Sequence, residues 1–155
     1  MSSIVIRRFA QQRDLLPTIR SWFEEEWPRY YGANGPGNAE QDLQAYANAG
    51  GVPLGLVAFK KGTPCGFVAL KGEAFPTHPH LAPWVGAAYV QPPLRRQGIG
   101  RALFLAIEPE ARTLGYASIY CATGTSASLL LRCGWHLLQS VHHEGQQLGV
   151  YEKAL

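Results

Sequence analysis

The sequence predicts a single mixed α/β domain over residues 1–155, and three observations support this fold class. Strand-like and helix-like segments alternate along the whole chain. Hydrophobic residues make up 46% of the composition, enough for a substantial core, and no repeat, low-complexity run or linker indicates a second domain. In the middle of the chain an apolar strand, residues 84–90, passes into a helix through a glycine-bearing loop, residues 95–100.

The chain opens with a predicted strand and a long predicted helix. Residues 3–9 alternate and are β-branched, which is typical of a strand. Residues 11–27 carry large apolar side chains at spacings of three and four, which predicts an amphipathic helix that Pro28 helps to stop. The three glutamates at 24–26 are most simply a solvated face, although acids beside two tryptophans could also receive a cationic amine.

A loop, a second helix and a hairpin follow. Residues 30–38 are rich in Gly, Pro and Asn and predict a loop, after which Asn38 caps a helix that extends to about Ala49. The segments 54–60 and 65–71 are strand-like and predict a hairpin with a four-residue connection.

Two histidines, His78 and His80, stand between prolines in the next loop, residues 72–83. No further ligand lies at a useful spacing, so the sequence predicts a surface loop and no metal site. Either histidine could still act as a base near neutral pH.

The second half contains two more helices and three more strands. A helix is predicted from Gly100 to Leu114, with Pro109 expected to kink or break it. The remaining predicted segments are strand 117–123, helix 126–133 with Gly134 after its end, and strands 135–141 and 148–153.

The loop Arg95–Gly100 has the composition of a phosphate-binding turn. The first turn of a helix leaves main-chain N–H groups without partners, Gly98 and Gly100 permit close approach, and Arg101 adds to the cationic charge. The loop is neither a P-loop nor a dinucleotide fingerprint, because Arg101-Ala102 replaces Lys-Ser/Thr and G-x-G-x-x-G is absent. A pyrophosphate site and a plain strand-to-helix turn both fit these residues.

Composition limits the partners and the compartment. The net charge of +3 is mild and clusters at the loop, so no nucleic acid is expected as a partner. No apolar run is long enough to span a bilayer and no secretory signal is recognised, so a cytoplasmic protein without a membrane partner is expected. Cys65, Cys121 and Cys133 form no C-x-x-C pair and are expected to be buried thiols. The oligomeric state is open, a homodimer included.

Several segments resemble the GCN5-related N-acetyltransferase (GNAT) superfamily. Residues 95–100 match its R/Q-x-x-G-x-G/A loop, and APWVGAAYV at 82–90 stands directly before this loop, as a strand does in the family. RCGW at 132–135 resembles the common x-x-G-F/W ending, and GVYEKAL at 149–155 resembles the closing V-x-M-x-K-x-L strand. The resemblance implies the acyl-CoA N-acyltransferase fold, a mixed, mostly antiparallel sheet splayed at its central strand and flanked by about four helices.

The resemblance also implies acetyl-CoA as co-substrate. In the family, the main chain at the positions of Tyr89 and Val90 pairs with the pantetheine arm, and successive loop amides hold the pyrophosphate. The implied cofactor-binding residues are Tyr89, Val90, Arg95, Arg96, Gln97, Gly98, Ile99, Gly100 and Arg101.

The sequence departs from the family at both common acid and base positions. Leu130 stands where many members have a tyrosine that protonates the leaving thiolate, and Trp84 stands where some have a glutamate base. Direct attack remains feasible, because a thiolate leaves readily and positioning contributes much of the rate. The candidates for the acid are Ser128, then Tyr120, with Ser126 or water as alternatives.

The predicted activity is acetyl transfer to a primary amine of a small molecule or peptide, by direct attack in a ternary complex. Glu26 continues the apolar stripe of the first helix, so it is the candidate carboxylate for the acceptor ammonium. A non-catalytic acyl-CoA binder is the alternative that the departures suggest, and a nucleic-acid-binding domain rests only on the mild charge.

Overall fold

The computed structural model describes residues 3–155, which form one seven-stranded sheet with helices on both faces. The strand order is β1-β2-β3-β4-β5-β7-β6, and only β4 and β5 run parallel. The predicted mixed, mostly antiparallel sheet is therefore confirmed. The strands are Ile4–Arg8 (β1), Leu54–Lys60 (β2), Thr63–Lys71 (β3), Trp84–Val90 (β4), Ser118–Thr123 (β5), His136–His143 (β6) and Gln146–Ala154 (β7).

Five α-helices accompany the sheet in the described part of the chain, where the sequence analysis predicted four. The added helix is a single turn that follows Trp27, in a stretch where part of a loop was predicted. The helices are Leu16–Glu26 (α1), Pro28–Tyr31 (α2), Ala39–Tyr46 (α3), Ile99–Thr113 (α4) and Ala127–Arg132 (α5).

Helix α1 begins later than predicted. The stretch from Phe9 to Leu15 forms two short 3₁₀ turns before the α-helix starts at Leu16. Pro17 lies in the first turn of α1, where its missing N–H leaves no helical bond unmade and its fixed φ favours helix entry.

The two hairpins close more tightly than predicted. In both, two residues with positive φ form the turn: Lys61 (52°) with Gly62 (77°), and Glu144 (51°) with Gly145 (78°). Positive φ at both positions is the type I′ geometry, whose twist matches that of the flanking strands. Strands β3, β6 and β7 consequently extend further toward their turns than the sequence patterns indicated.

Pro109 does not break α4, which continues to Thr113. A proline ring removes the hydrogen bond to the carbonyl four residues earlier, here that of Leu105. Leu105 is 38% exposed, so water can satisfy its carbonyl and the helix continues.

The core has two main parts, one on each face of the sheet. Between the sheet and α4, buried residues such as Val68, Leu103 and Ile107 pack together. On the other face, the sheet packs against α1 and α3 through an aromatic cluster that includes Phe23 and Phe67. The predicted buried thiols are confirmed, since all three cysteines are buried and free.

The sheet splays between β4 and β5. These strands pair only at Trp84 and Tyr120, where the Tyr120 N–H donates to the Pro83 carbonyl at 3.1 Å. The two rings close this end of the opening, with centroids 5.7 Å apart. Beyond this pair the strands separate, so the predicted splay at the central strand is confirmed. Among residues 3–155, no helix has both the length and the apolar character needed to cross a bilayer.

Candidate active site

The N-terminus of α4 presents a run of main-chain N–H groups without partners. The first bond that closes the helix runs from the Ala102 N–H to the Gly98 carbonyl, at 3.0 Å. The six N–H groups of residues 96–101 find no acceptor in the part of the chain that the structure describes. Arg96 (φ 65°) and Gly98 (φ 85°) both adopt left-handed backbone here. Such a concave run of donors at a helix N-terminus is an anion-binding geometry.

A cleft of about 860 Å³, the loop cleft, lies beside this run. It is bounded by the end of β4, the loop, the start of α4 and the start of α5. Arg96 and Arg101 line it, are exposed, and form no ion pair among residues 3–155. Their positive charge adds to that of the helix terminus. The cleft is therefore suited to an elongated, multiply anionic ligand.

A second cleft of about 800 Å³, the hairpin cleft, lies where the end of α1, helix α2, the middle of β4 and the β6–β7 hairpin face one another. The two clefts share their border. The shared lining residues are Glu26, Ala88, Phe104, Thr125 and Ser126. One ligand in each cleft would therefore meet its neighbour at this border.

A bulge in β4 shapes the border. Between the pairs Phe67–Tyr89 and Ala69–Gly86, β4 contains one residue more than β3. Ala87, within this bulge, has a φ of 50°. A bulge bends its strand and redirects the following side chains and amides.

The main chains of Tyr89 and Val90 face opposite ways. The Gln91 N–H donates to the Cys65 carbonyl at 2.9 Å, and alternation along an antiparallel ladder directs the Tyr89 main chain to β3 as well. Val90 therefore presents its N–H and C=O to the cleft. The family resemblance implies that both residues pair with a pantetheine arm, whereas this geometry supports Val90 alone.

Arg95 connects the loop to α1. Its Nε donates to the Val90 carbonyl at 2.8 Å, and its Nη2 lies 3.0 Å from Oε2 of Glu26. The guanidinium also lies 5.7 Å from the centroid of the Tyr89 ring, which stacks on Trp22 at 5.1 Å. The Arg95 guanidinium is thus bound by other residues of the protein, unlike those of Arg96 and Arg101.

The other predicted loop residues divide between anchors and lining. Ile99 is buried in the core and fixes the start of α4, while the Gln97 amide oxygen accepts a hydrogen bond from Lys60. A Cβ at Gly100 would lie 3.3 Å from Cδ2 of Leu129, whereas one at Gly98 would enter open space. Helix α5 therefore packs closely against Gly100, whereas the surface of the loop at Gly98 is open.

The sequence matches the profile of the acetyltransferase (GNAT) family over residues 16–135. The chain belongs to this family. The resemblance found in its loop and strand segments is thereby confirmed. Comparison with curated proteins gives no match.

Solved structures show the same fold. An aminoglycoside 6'-N-acetyltransferase complexed with coenzyme A superposes with a TM-score of 0.77 at 12% identity, covering 97% of this chain and 96% of that chain. The ribosomal-protein-alanine N-acetyltransferase of Brucella melitensis gives 0.75 at 20% identity, covering 97% and 99%. The Salmonella typhimurium protein yncA, whose structure contains acetyl-CoA, gives 0.75 at 18% identity, covering 97% and 93%.

The predicted acid Ser128 lies away from both clefts of this GNAT domain. It is exposed on α5, and its carbonyl accepts a hydrogen bond from Arg132. Ser126, weighed below Ser128 in the sequence analysis, lines both clefts instead. Its N–H donates to Thr123 Oγ1 at 3.0 Å, and its own hydroxyl makes no capping bond, so that hydroxyl is free to donate.

Tyr120 lies at the closed end of the splay. It is 8% exposed, packs on Trp84 and lines neither cleft. Burial raises the pKa of its phenol, and the nearby Glu152 carboxylate raises that pKa further. The geometry therefore gives no support to Tyr120 as the acid.

Leu130, at the position of the family tyrosine, is fully buried in the core on the α4 side. Trp84, at the glutamate position, is buried with Tyr120. Neither can exchange a proton, so the departures from the family pattern are real features of this site. Neither His78 nor His80 lines a cleft, and the His78 ring is hydrogen-bonded to Thr77 and Gln139.

Glu26 is the one predicted acceptor-side residue that lies at the border of the clefts. Most other residues of the hairpin cleft, among them Tyr31 and Lys71, are not indicated by any sequence motif. The Tyr31 hydroxyl donates to Asp42 Oδ2 at 2.7 Å. Burial is the main cause that raises the pKa of Tyr31 well above the ordinary range, and this hydrogen bond is the second cause. No local pattern could have identified these residues, since the cleft is assembled from six separate segments of the chain.

Proposed function

We propose that this protein is an N-acetyltransferase that transfers an acetyl group from acetyl-CoA to a primary amine by direct attack in a ternary complex. The supporting observation is the run of six unpartnered N–H groups at residues 96–101, beside a cleft that meets a second cleft at Glu26 and Ser126. The arrangement suits one site for a pyrophosphate-bearing acyl donor and an adjoining site for the acceptor.

The loop residues fit coenzyme A. The N–H groups from Arg96 to Arg101 would bind the pyrophosphate, with the exposed cations of Arg96 and Arg101 adding long-range attraction. Val90 would hold the pantetheine arm through its main chain. The Val90 carbonyl already accepts a hydrogen bond from Arg95. For the pantetheine arm to bind this carbonyl, Arg95 must share the oxygen or release it.

Acetyl-CoA supplies the acetyl group as a thioester: the amine nitrogen bonds to the carbonyl carbon, the carbon–sulfur bond breaks, and the free thiol leaves. Among the residues of this chain, the Val90 N–H would polarise the thioester carbonyl, as main-chain donors do in other acyl transfers. The nitrogen becomes cationic on attack and must release a proton. The Ser126 hydroxyl would take up this proton as it gives its own to the departing sulfur, so the serine ends unchanged. Holding both reactants at the shared border would supply much of the remaining acceleration.

Glu26 would bind the acceptor as an ammonium ion and orient it before the nitrogen loses a proton to water. Its position at the shared border fits this role, since the amine must reach the loop cleft from the hairpin cleft. Its ion pair with Arg95 is about one-third exposed, so an incoming ammonium can compete for the carboxylate.

A release assay for free thiol, with saturating acetyl-CoA and a panel of primary amines, tests the proposal. We expect thiol release that depends on the acceptor, together with calorimetric binding of coenzyme A. Coenzyme A binding without thiol release for any amine would instead favour a non-catalytic acyl-CoA binder. The buried Leu130 and enclosed Tyr120, which leave the usual acid position without a donor, are the observations that favour this second candidate.

A further inference from the structure

Lys71 lies in the hairpin cleft, at the end of β3. It pairs across the sheet with Trp84, and its side chain crosses the neighbouring strand at Gly86. A Cβ placed on Gly86 would lie 3.1 Å from Lys71 Cδ and 3.7 Å from Nζ. The missing side chain at Gly86 therefore makes the room in which the lysine lies along the cleft.

The hairpin cleft has two charged lining residues, Glu26 and Lys71. Glu26 is already paired with Arg95 at 3.0 Å. None of the ion pairs or side-chain hydrogen bonds found among residues 3–155 involves Lys71. The cleft thus offers an ammonium group that the protein itself does not neutralise.

Other acids lie near the cleft without lining it. The carboxylate of Asp42 accepts the Tyr31 hydroxyl. Glu73 and Glu144 raise the pKa of the half-exposed Tyr30 through their charge, after the larger effect of burial, but neither is part of the lining. The other lining residues of the hairpin cleft are uncharged, and they include polar groups such as Tyr31, Thr123 and Gln146.

This charge pattern discriminates between classes of acceptor. A polycationic amine needs several unpaired carboxylates and is repelled by a free ammonium. Lys71 lies beside Gly86, and Glu26 is tied through Arg95 to Val90, four residues further along β4. An amine whose carboxylate lies several atoms away, such as the side-chain amine of a free amino acid, would place one charge beside Glu26 and the other beside Lys71. We infer that the acceptor is an amine bearing a carboxylate, namely a free amino acid, whose carboxylate is bound by Lys71. This inference rests on the proposed function and names the substrate class for that site.

The test compares acceptors that differ only in the carboxylate. Free-thiol release with saturating acetyl-CoA is measured for the common amino acids, for their amides, and for the polycations spermidine and kanamycin. We expect the best amino acid to have a kcat/KM at least about tenfold above its own amide, as one charge-assisted contact provides. The polycations should be poorer acceptors than this amino acid.

The variant Lys71→Met removes the charge and keeps the length. For the best amino acid it should raise KM at least about tenfold, leave the KM of the amide unchanged, and leave coenzyme A affinity unchanged. Lys71→Arg should recover part of the loss. Lys61→Met, on the exposed turn between β2 and β3, is the matched control and should behave as the parent. Thermal melting of each variant separates a binding defect from a folding defect.

Turnover of spermidine or kanamycin with Lys71→Met indistinguishable from the parent would overturn the inference and leave the proposed function standing. Absence of turnover with every amine would contradict the proposed function instead. In that case, binding is measured by the thermal shift of the coenzyme A complex with each amino acid and its amide. A carboxylate-dependent shift lost in Lys71→Met would still support the lysine site, and no such shift would overturn it.

Discussion

Nη2 of Arg95 lies 3.0 Å from Oε2 of Glu26, and this ion pair joins the glycine loop to the end of α1. The loop borders the cleft proposed for the acyl donor, and Glu26 borders both clefts. Arg95 also donates to the Val90 carbonyl at 2.8 Å. The Arg95 guanidinium therefore links the main chain of β4 to the Glu26 carboxylate at the border of the two clefts.

Glu26→Gln should raise the KM of the acceptor severalfold, because a neutral amide binds an ammonium less well than a carboxylate does. Coenzyme A affinity should change less than about fivefold, since a partly exposed ion pair contributes at most about 1 kcal/mol. Steady-state kinetics and calorimetry measure both. Glu24→Gln is the control: Glu24 pairs with Arg20 at 3.1 Å, outside both clefts, and its kinetics should match the parent. An unchanged acceptor KM in Glu26→Gln would remove this residue from the site.

Gly98→Val should weaken coenzyme A binding at least about tenfold. The residue has a φ of 85°, where a β-branched side chain is strained by about 1–2 kcal/mol, and its Cβ would stand on the open face of the loop. Arg96→Ala removes one exposed charge and should weaken binding at most about fivefold. Calorimetry on the folded variants measures both coenzyme A affinities. Equal, small losses of affinity in the two variants would indicate that the loop is only a structural turn.

Ser126→Ala should lower kcat about tenfold or more if its hydroxyl protonates the leaving sulfur. The melting temperature should stay close to that of the parent, because this hydroxyl makes no capping bond to α5. Ser128→Ala, two residues further along the same segment and outside both clefts, is the matched control and should keep full activity. Undiminished turnover by Ser126→Ala would indicate that water supplies the proton.

Tyr31→Phe should lower the unfolding free energy at pH 8 by about 1–2 kcal/mol, because it leaves a partly buried Asp42 carboxylate without its donor. Urea unfolding measures this loss. Tyr116→Phe is the control: its hydroxyl makes no hydrogen bond among the described residues, so its unfolding free energy should stay within about 0.5 kcal/mol of the parent.

The same variant should alter the response to alkaline pH. Burial and the bond to Asp42 raise the pKa of Tyr31 in the folded state, whereas the unfolded phenol ionises near pH ~10. The unfolded state therefore holds fewer protons above that pH, and stability falls as pH rises. Tyr31→Phe should lose less stability than the parent between pH ~9 and ~11. An equal loss in the two proteins would show that Tyr31 does not contribute.

The sequence by itself determined the order of the seven strands and of four of the five described helices, and it identified the glycine-bearing loop between β4 and α4. These properties are local. Strand alternation, helical spacing and the positions of Gly98 and Gly100 act within a few residues, so they can be read from a short window. The family segments added the splayed sheet, because the order of elements and the loop motif together specify that fold. The structure adds helix α2, ends α3 at Tyr46, and shifts the element boundaries near Pro17 and at the tight hairpin turns.

The tertiary structure decided which side chains share a cleft. Arg95 and Glu26 are 69 residues apart, and their contact depends on how α1 packs on the sheet. The bulge at Ala87 and the ladder register determine that Val90, and not Tyr89, presents its main chain to the opening, and a one-residue shift would reverse this choice. Lys71 reaches the hairpin cleft because Gly86 lies beneath it on the next strand. Such long-range contacts leave no local pattern in the sequence, because they are created only when the strands pair.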